Sequence, residues 1–233
     1  MPDSAALPNA RYVSAMADVT PSPDLDFFFD PVCPWAWLTS RWVVEVQQQR
    51  SYSVDWRFIS LWILNEENTQ DWYTPEYRAG HYLGHQALRI ADQIRLTDFD
   101  PDAVGRWYTG LGEALHRDDR RREARDDNDA FLSAVLTGAG FDVALLAHGA
   151  DESHDDHLRV ETELALSRTG KDVGTPILTF RPGTDREGSF FGPVISKAPR
   201  GAEASELWDA VEKLATSGVA ELKRSNRERP DYT

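Results

Sequence analysis

The stretch Phe27–Trp42, FFFDPVCPWAWLTSRW, holds the only cysteine of a 233-residue chain. Cys33 stands between Pro31 and Pro34, where an aromatic run gives way to a helical pattern, with Trp35 and Trp37 beside it. A thiol at a helix N-terminus meets unsatisfied backbone N–H groups and the positive end of the helix dipole, and both favour an anion. Such placement lowers the ordinary cysteine pKa of about 8.5 by several units, and the thiolate is the reactive form. Most lone cysteines are inert core residues. A strand-to-helix turn flanked by prolines argues instead for a functional thiol. Position 36 is alanine, so Cys33-Pro34-Trp35-Ala36 is half of a Cys-X-X-Cys motif. Any redox chemistry at Cys33 takes its second sulfur from another molecule.

The elements that must position this thiol follow from the hydrophobic periodicity. Asp24–Asp30 reads as a short aromatic strand. Leu38, Trp42, Val43 and Val46 continue it as a helix to about Gln49. Val54, Trp56 and Phe58 alternate and predict a strand over about Ser53–Leu61. Thr74-Pro75 and Asp100-Pro101 each pair an N-capping residue with a proline, and each predicts a helix start. The charged segment His116–Asp129 reads as a solvated loop or helix rim. Phe131–Thr137, Val143–Ala147 and His157–Ser167 read as further helical pieces. Strands return at Pro176–Phe180 and Ser189–Phe191, separated by a turn-rich segment, and a last helix covers about Ala202–Thr216.

Strand, helix, strand, helical block, two strands and helix is the order of a thioredoxin-type α/β core with helices inserted after its second strand. The first two strands form a parallel unit through their connecting helix, and the last two are close enough for an antiparallel hairpin. The expected division is a flexible extension over 1–23, the thioredoxin-like part over 24–64 and 171–223, a helical insertion over 65–170 and a polar tail over 224–233. In such a core Val173-Gly174-Thr175-Pro176 gains meaning. Pro176 is expected to be cis and to face the cysteine, which turns the Thr175 backbone toward a bound thiol compound.

Composition limits the functions available. Hydrophobic residues make up 41% of the chain and aromatics 11%, enough for a folded core. A net charge of −14 disfavours nucleic acid and anionic membrane as partners. No apolar run reaches the length of about 18 residues that a membrane span requires. The first residues lack a basic start and an apolar segment of signal-peptide length, so the expected location is the cytoplasm. One cysteine excludes an internal disulfide and a cysteine-rich zinc site.

Weaker candidates are better explained without chemistry. His81 and His85 are four apart on a helix, but Tyr82 stands where a catalytic acid would follow the first, so they read as surface or packing residues. His154 and His157 lie among acidic residues and read as a solvated helix start; no metal site is expected. Lys197 and Arg200 are equally readable as surface charges or as anchors for a carboxylate or sugar hydroxyl. Trp62, Trp72 and Tyr73 read mainly as packing residues, with an aromatic substrate pocket near Asn65 as the alternative.

The segment DFFFDPVCPWAWLTSRW resembles the active-site region of DsbA-like thioredoxin-superfamily proteins. More narrowly it resembles the actinobacterial mycothiol-dependent nitroreductase family. The likeness runs over about Asp24–Lys223 and includes FISLWILNE (58–66), DVGTP (172–176) and FFGPVISKAPRG (190–201). The resemblance implies a cytoplasmic thiol–disulfide oxidoreductase that uses the low-molecular-weight thiol mycothiol, without a metal, and some relatives reduce nitro compounds. It assigns catalysis to Cys33. Cofactor contacts fall to Pro34, Trp35, Asn65, Tyr77, Thr175 and Pro176. The expected partners are the thiol and a small-molecule or disulfide substrate, with the chain as monomer or homodimer. Ala36 departs from the family pattern, which has a second cysteine there, and leaves a monothiol route through a mixed disulfide. The alternatives are a transferase or isomerase like the kappa-class glutathione transferases and hydroxychromene carboxylate isomerases, or a binding protein that has lost catalysis.

Overall fold

The computed structural model describes residues 22–224 and 228–233. The extension expected over 1–23 therefore lies, but for its last two residues, outside the described residues. Strand β1 (Leu25–Phe29) leads into helix α1 (Pro34–Gln49) and strand β2 (Val54–Phe58). Helices α2 (Leu61–Leu64), α3 (Pro75–Thr97) and α4 (Ala103–Gly112) follow. A π-helical turn (Glu113–Arg117), α5 (Arg121–Asp126), α6 (Asn128–Gly138) and two 3-10 segments (Val143–Ala150 and Glu152–His154) lead to α7 (Asp155–Thr169). Strands β3 (Ile177–Phe180) and β4 (Gly188–Phe191) and helix α8 (Gly201–Ala215) complete the order.

The sheet order is β2-β1-β3-β4. β1 pairs with β2 in parallel, Phe27 opposite Trp56, and with β3 antiparallel, Phe27 opposite Leu178. β3 and β4 form the antiparallel hairpin. Successive side chains of a strand point to opposite faces. Leu25, Phe27 and Phe29 thus join Trp56, Phe58, Leu178 and Phe180 in the main core, with α1, α3, α4 and α8. Phe28 and Ile177 join Ala165 of α7 in a smaller core. All five residues of β1 are buried because both faces of the central strand are covered. Helix α7, counted at the sequence level with the inserted helices, is bound to the sheet by buried charge pairs. Arg57 Nε donates to Glu161 (3.0 Å) and Arg168 pairs with Asp26 (2.7 Å).

Several boundaries differ from the periodicity, each for a local reason. The second strand stops at Phe58 because Ser60 leaves the ladder: its N–H donates to Thr162 Oγ1 (3.0 Å) and its hydroxyl caps α2 at Ile63 N–H (3.3 Å). Asp100 begins a turn, not a helix. Its carboxylate accepts from Asp102 N–H (2.9 Å), and the helix starts at Ala103. Of the two readings of the charged segment 116–129, the helix rim holds and the loop does not: it is largely helical and mostly exposed, with His116 and Ala124 buried. His154 does not sit at a solvated helix start either. It is buried, and both it and His157 bond to the buried carboxylate of Asp92 on α3.

Helix α4 approaches α1 closely where Gly112 lies against the indole of Trp37; a Cβ at position 112 would overlap three atoms of that ring. Overpacking a buried contact costs about 1–3 kcal/mol. Gly112→Ala is therefore expected to lower the unfolding free energy in urea by about 2 kcal/mol. An unchanged midpoint would show that Trp37 yields without cost.

Candidate functional site

Cys33 is the residue before the first turn of α1, with extended backbone angles (φ −76°, ψ 114°) and Pro34 as the first helical residue. The turn that sets it there is short. Cys33 N–H donates to the Asp30 carbonyl (3.1 Å), and the Cys33 carbonyl accepts the first helical bond from Trp37 N–H (3.0 Å). A proline fits at Pro34 because the N–H it lacks has no intrahelical partner at that position. The Cys33 thiol does not cap the helix. It donates to the Thr175 carbonyl at 3.4 Å, across a gap of 142 residues in sequence. The sulfur lies at the margin of the core, with 8% of the residue exposed.

Thr175 arrives from the loop before β3, and its peptide bond to Pro176 is cis. Its hydroxyl donates to the Phe28 carbonyl (3.1 Å), which holds the loop to β1. A second cis bond, Gly192–Pro193, lies just beyond β4. Gly192 N–H donates to the Pro176 carbonyl (2.8 Å), and Thr39 of α1 donates its hydroxyl to the Pro193 carbonyl (2.7 Å). The Thr175–Pro176 segment is thus braced between β1 and the 192–193 loop, and that loop is tied back to the helix that begins at Cys33.

Several polar groups near the thiol are buried. Asp30, three residues before it, accepts from Val32 N–H (3.0 Å) and Leu61 N–H (2.8 Å) and is fully buried. Burial raises its carboxyl to about 7, against the opposing effect of those two hydrogen bonds. Gly84 lets α3 approach: a Cβ there would lie 2.5 Å from Asp30 Oδ1. Tyr108 stacks on Phe29 at 3.9 Å between ring centroids. Burial pushes its hydroxyl well above the usual phenol range; the Arg41 guanidinium works against this, and the charge of the Cys33 thiolate adds to it. Arg41 lies over the Trp37 ring at 4.0 Å, and burial lowers it to about 10. His116 donates from Nε2 to the Pro31 carbonyl (2.9 Å) and stacks between Trp37 and Tyr232. Burial lowers it to about 4.

The sequence model of the family described as "Rv2466c-like: Mycothiol-dependent nitroreductase Rv2466c" matches residues 32–224. The chain belongs to the Rv2466c-like family. A relative from Mycobacterium tuberculosis (strain ATCC 25618 / H37Rv), "Uncharacterized protein Rv2286c", is 30% identical over 203 residues, 86% of this chain and 81% of that protein. A putative protein disulfide isomerase from Nitrosomonas europaea shares the fold, with a TM-score of 0.52 and 16% identity over 82% of this chain and 98% of that one. A 2-hydroxychromene-2-carboxylate isomerase superposes with a TM-score of 0.49 and 14% identity, covering 82% and 95% of the two chains. The architecture is thus of the DsbA-type thioredoxin-like kind, and no helix among the described residues is long and apolar enough to cross a membrane.

Within this family framework, the residues singled out from sequence fall into two groups. Cys33, Pro34, Thr175 and Pro176 come together at the turn. Trp35 is half-buried beside them and packs against the main core. Ala36, where the family pattern leads one to expect a thiol, is fully buried. Asn65 and Tyr77 belong to the helices after β2. Asn65 ends α2, and its amide is spent locally, donating to the Leu61 carbonyl and accepting from Asn68 (both 2.9 Å). Tyr77 is 57% exposed on the first turn of α3, its ring edge against Trp72 and His81. Trp72 and Tyr73 pack on each other, and Tyr73 bonds His81 at 3.2 Å. Lys197 and Arg200 are engaged on the surface, with Asp231 (2.8 Å) and Glu45 (3.1 Å). Sequence reasoning missed Asp30, Tyr108 and His116. A charged residue closing the aromatic run FFFD was the available signal for Asp30. Nothing local marks the other two.

Proposed function

We propose that the chain is a mycothiol-dependent thiol–disulfide oxidoreductase of the cytoplasm that works through Cys33 alone. The observation that supports this most is the 3.4 Å approach of the Cys33 sulfur to the Thr175 carbonyl at a helix N-terminus. The helix N-terminus favours a thiolate at residue 33, while the Thr175 carbonyl, which accepts from the resting thiol, offers a backbone edge on which a second sulfur compound docks. Membership of the Rv2466c-like family supports mycothiol as the thiol. Pro34, Trp35, Thr175 and Pro176 form the near contacts in this reading, with Asn65 and Tyr77 reached by a longer ligand. In this reading residues 24–64 and 171–223 carry the thiol, and 65–170 form the helical insertion beside them.

The route is a double exchange. The Cys33 thiolate attacks the mycothiol sulfur of a mixed disulfide; a Cys33–mycothiol disulfide forms and the substrate leaves as a thiolate that takes a proton from solvent. A second mycothiol, as its thiolate, attacks the sulfur joined to Cys33, so that mycothiol disulfide leaves and the Cys33 thiolate returns. No electron is gained or lost by the protein over the cycle. Nitro compounds extend the same donor chemistry: two mycothiol molecules give one disulfide, and a nitro group becomes a nitroso group and water.

The test is intact-protein mass spectrometry after incubation with mycothiol disulfide. One mycothiol adduct on the folded chain, discharged by excess mycothiol, is the expected result. With one cysteine in the sequence, the adduct needs no mapping. A folded protein whose mass stays unchanged would overturn the proposal.

A further inference from the structure

Away from the thiol, between α3 and α7, the two 3-10 segments bring three donor side chains together. His148 Nδ1 lies 3.2 Å from His154 Nε2 and 4.0 Å from Asp151 Oδ2. One ligand atom from each residue falls within 4.8 Å of the others. Four donors around a zinc ion with Zn–N distances of 2.0–2.1 Å stand about 3.3 Å apart. The imidazole pair is already at that spacing, and the carboxylate oxygen stands 4.0 Å from His148 Nδ1.

We propose that His148, Asp151 and His154 bind one divalent transition-metal ion of the zinc class. The donor set is two imidazoles and one carboxylate, which suits zinc, cobalt or nickel and not calcium or magnesium. Each donor is aimed by a separate contact. His154 bonds Asp92 Oδ2 through Nδ1 at 2.7 Å, and Asp92 is fully buried on α3. That bond places the proton on Nδ1 and turns the Nε2 lone pair toward His148. A buried carboxylate behind a ligating histidine is the usual support of such sites. Asp92 is itself fixed by His157 at 2.6 Å through its other oxygen. Asp151 accepts from Ser153 N–H at Oδ1 (2.9 Å), which leaves Oδ2 as the atom on the His148 side. A bound ion would clip the 3-10 segments to the start of α7 and, through Asp92, to α3. Three protein ligands leave a fourth position for water.

A simpler arrangement needs no ion: a hydrogen-bond relay from Asp92 through His154 to His148, with Asp151 capping the second 3-10 segment at Ser153 N–H. The experiment separates the two. Tag-free Cys33→Ser protein, which removes the thiol as a competing ligand, is freed of metal and titrated at neutral pH with zinc chloride by calorimetry. Cobalt chloride, followed by visible absorption, serves as the spectroscopic probe. One equivalent of zinc and tetrahedral-type cobalt bands are expected. His148→Ala and Asp151→Ala, each made in that background at the surface, should weaken zinc binding at least tenfold, with the cobalt bands lost. Asp92→Asn, which removes no ligand, should weaken it about 10–100-fold. Absence of stoichiometric zinc binding would overturn the proposal. So would zinc affinity unchanged in both His148→Ala and Asp151→Ala.

Discussion

Cys33→Ser is expected to lower kcat/KM for mycothiol-driven disulfide exchange by at least roughly a thousandfold, the scale set by removing a covalent nucleophile. Serine keeps the shape of the turn: the Asp30 and Trp37 backbone bonds that position residue 33 do not involve its side chain. What is lost is a sulfur that reacts as its thiolate and forms a disulfide. No other cysteine exists in the sequence to substitute for it. The measurement is the rate at which mycothiol reduces a mixed disulfide in the presence of each protein, with circular dichroism to show that both are folded. Activity retained in Cys33→Ser would sink the nucleophile and favour a different chemistry. In that case residue 33 would activate a bound thiol by hydrogen bonding, which a hydroxyl does as well as a sulfhydryl.

The parts of this site that were legible in the sequence are those set by local chemistry. Thr74-Pro75 announces α3 because a capping hydroxyl acts within one turn, here on Tyr77 N–H at 3.3 Å. Cys33 could be placed at the start of α1 because the two prolines and the aromatic strand are its immediate neighbours. The meeting of Cys33 with Thr175 depends on topology, and it was readable only once the order of strands and helices suggested where β3 would return. His116 shows where such reading stops. It lies in a run of charged residues that suggests solvent, yet its bond partner is Pro31, 85 positions earlier. Asp92, His154 and His157 are hidden for the same reason. A carboxylate on one helix and two imidazoles at and just before the start of another carry no mark of each other in sequence. Ser60 fails differently: it follows directly on an alternating run, and its bonds to Thr162 and Ile63 show that the strand has ended.

Lowering the pH from 7 to 4 is expected to cost the fold several kcal/mol, because buried neutral histidines must either stay unprotonated or unfold to charge. His85 and His116, both buried, are lowered to about 4 chiefly by burial, from an ordinary 6.5. Their bonds fit the neutral ring. His116 donates from Nε2 to Pro31, while its Nδ1 faces the Arg121 guanidinium at 3.4 Å, where a further proton would meet a cation. Between pH 6.5 and 4 the unfolded chain binds more protons at these sites than the folded one, so stability falls as the pH falls. At 1.36 kcal/mol per unit, each contributes a loss of about 3 kcal/mol by pH 4. His81, also lowered to about 4 by burial, adds in the same direction with less weight because it is only half-buried. Asp30 opposes them. Its carboxyl is raised from 3.8 to about 7, so the folded chain holds the extra proton between those values and gains about 3 kcal/mol as the pH falls. Two buried histidines against one carboxyl leave a net loss of about 3 kcal/mol, before the share of His81. That is a large part of a typical stability of roughly 5–15 kcal/mol. Urea unfolding at pH 7, 6, 5 and 4 measures it. His116→Gln, whose amide can still donate to Pro31 and accept from Arg121, should remove about 3 kcal/mol of the pH dependence. A stability that stays flat from pH 7 to 4, or a slope unchanged by His116→Gln, would mean that the turn beneath Cys33 accommodates a charged imidazole. The neutral ring would then not be what holds the Pro31 carbonyl in place.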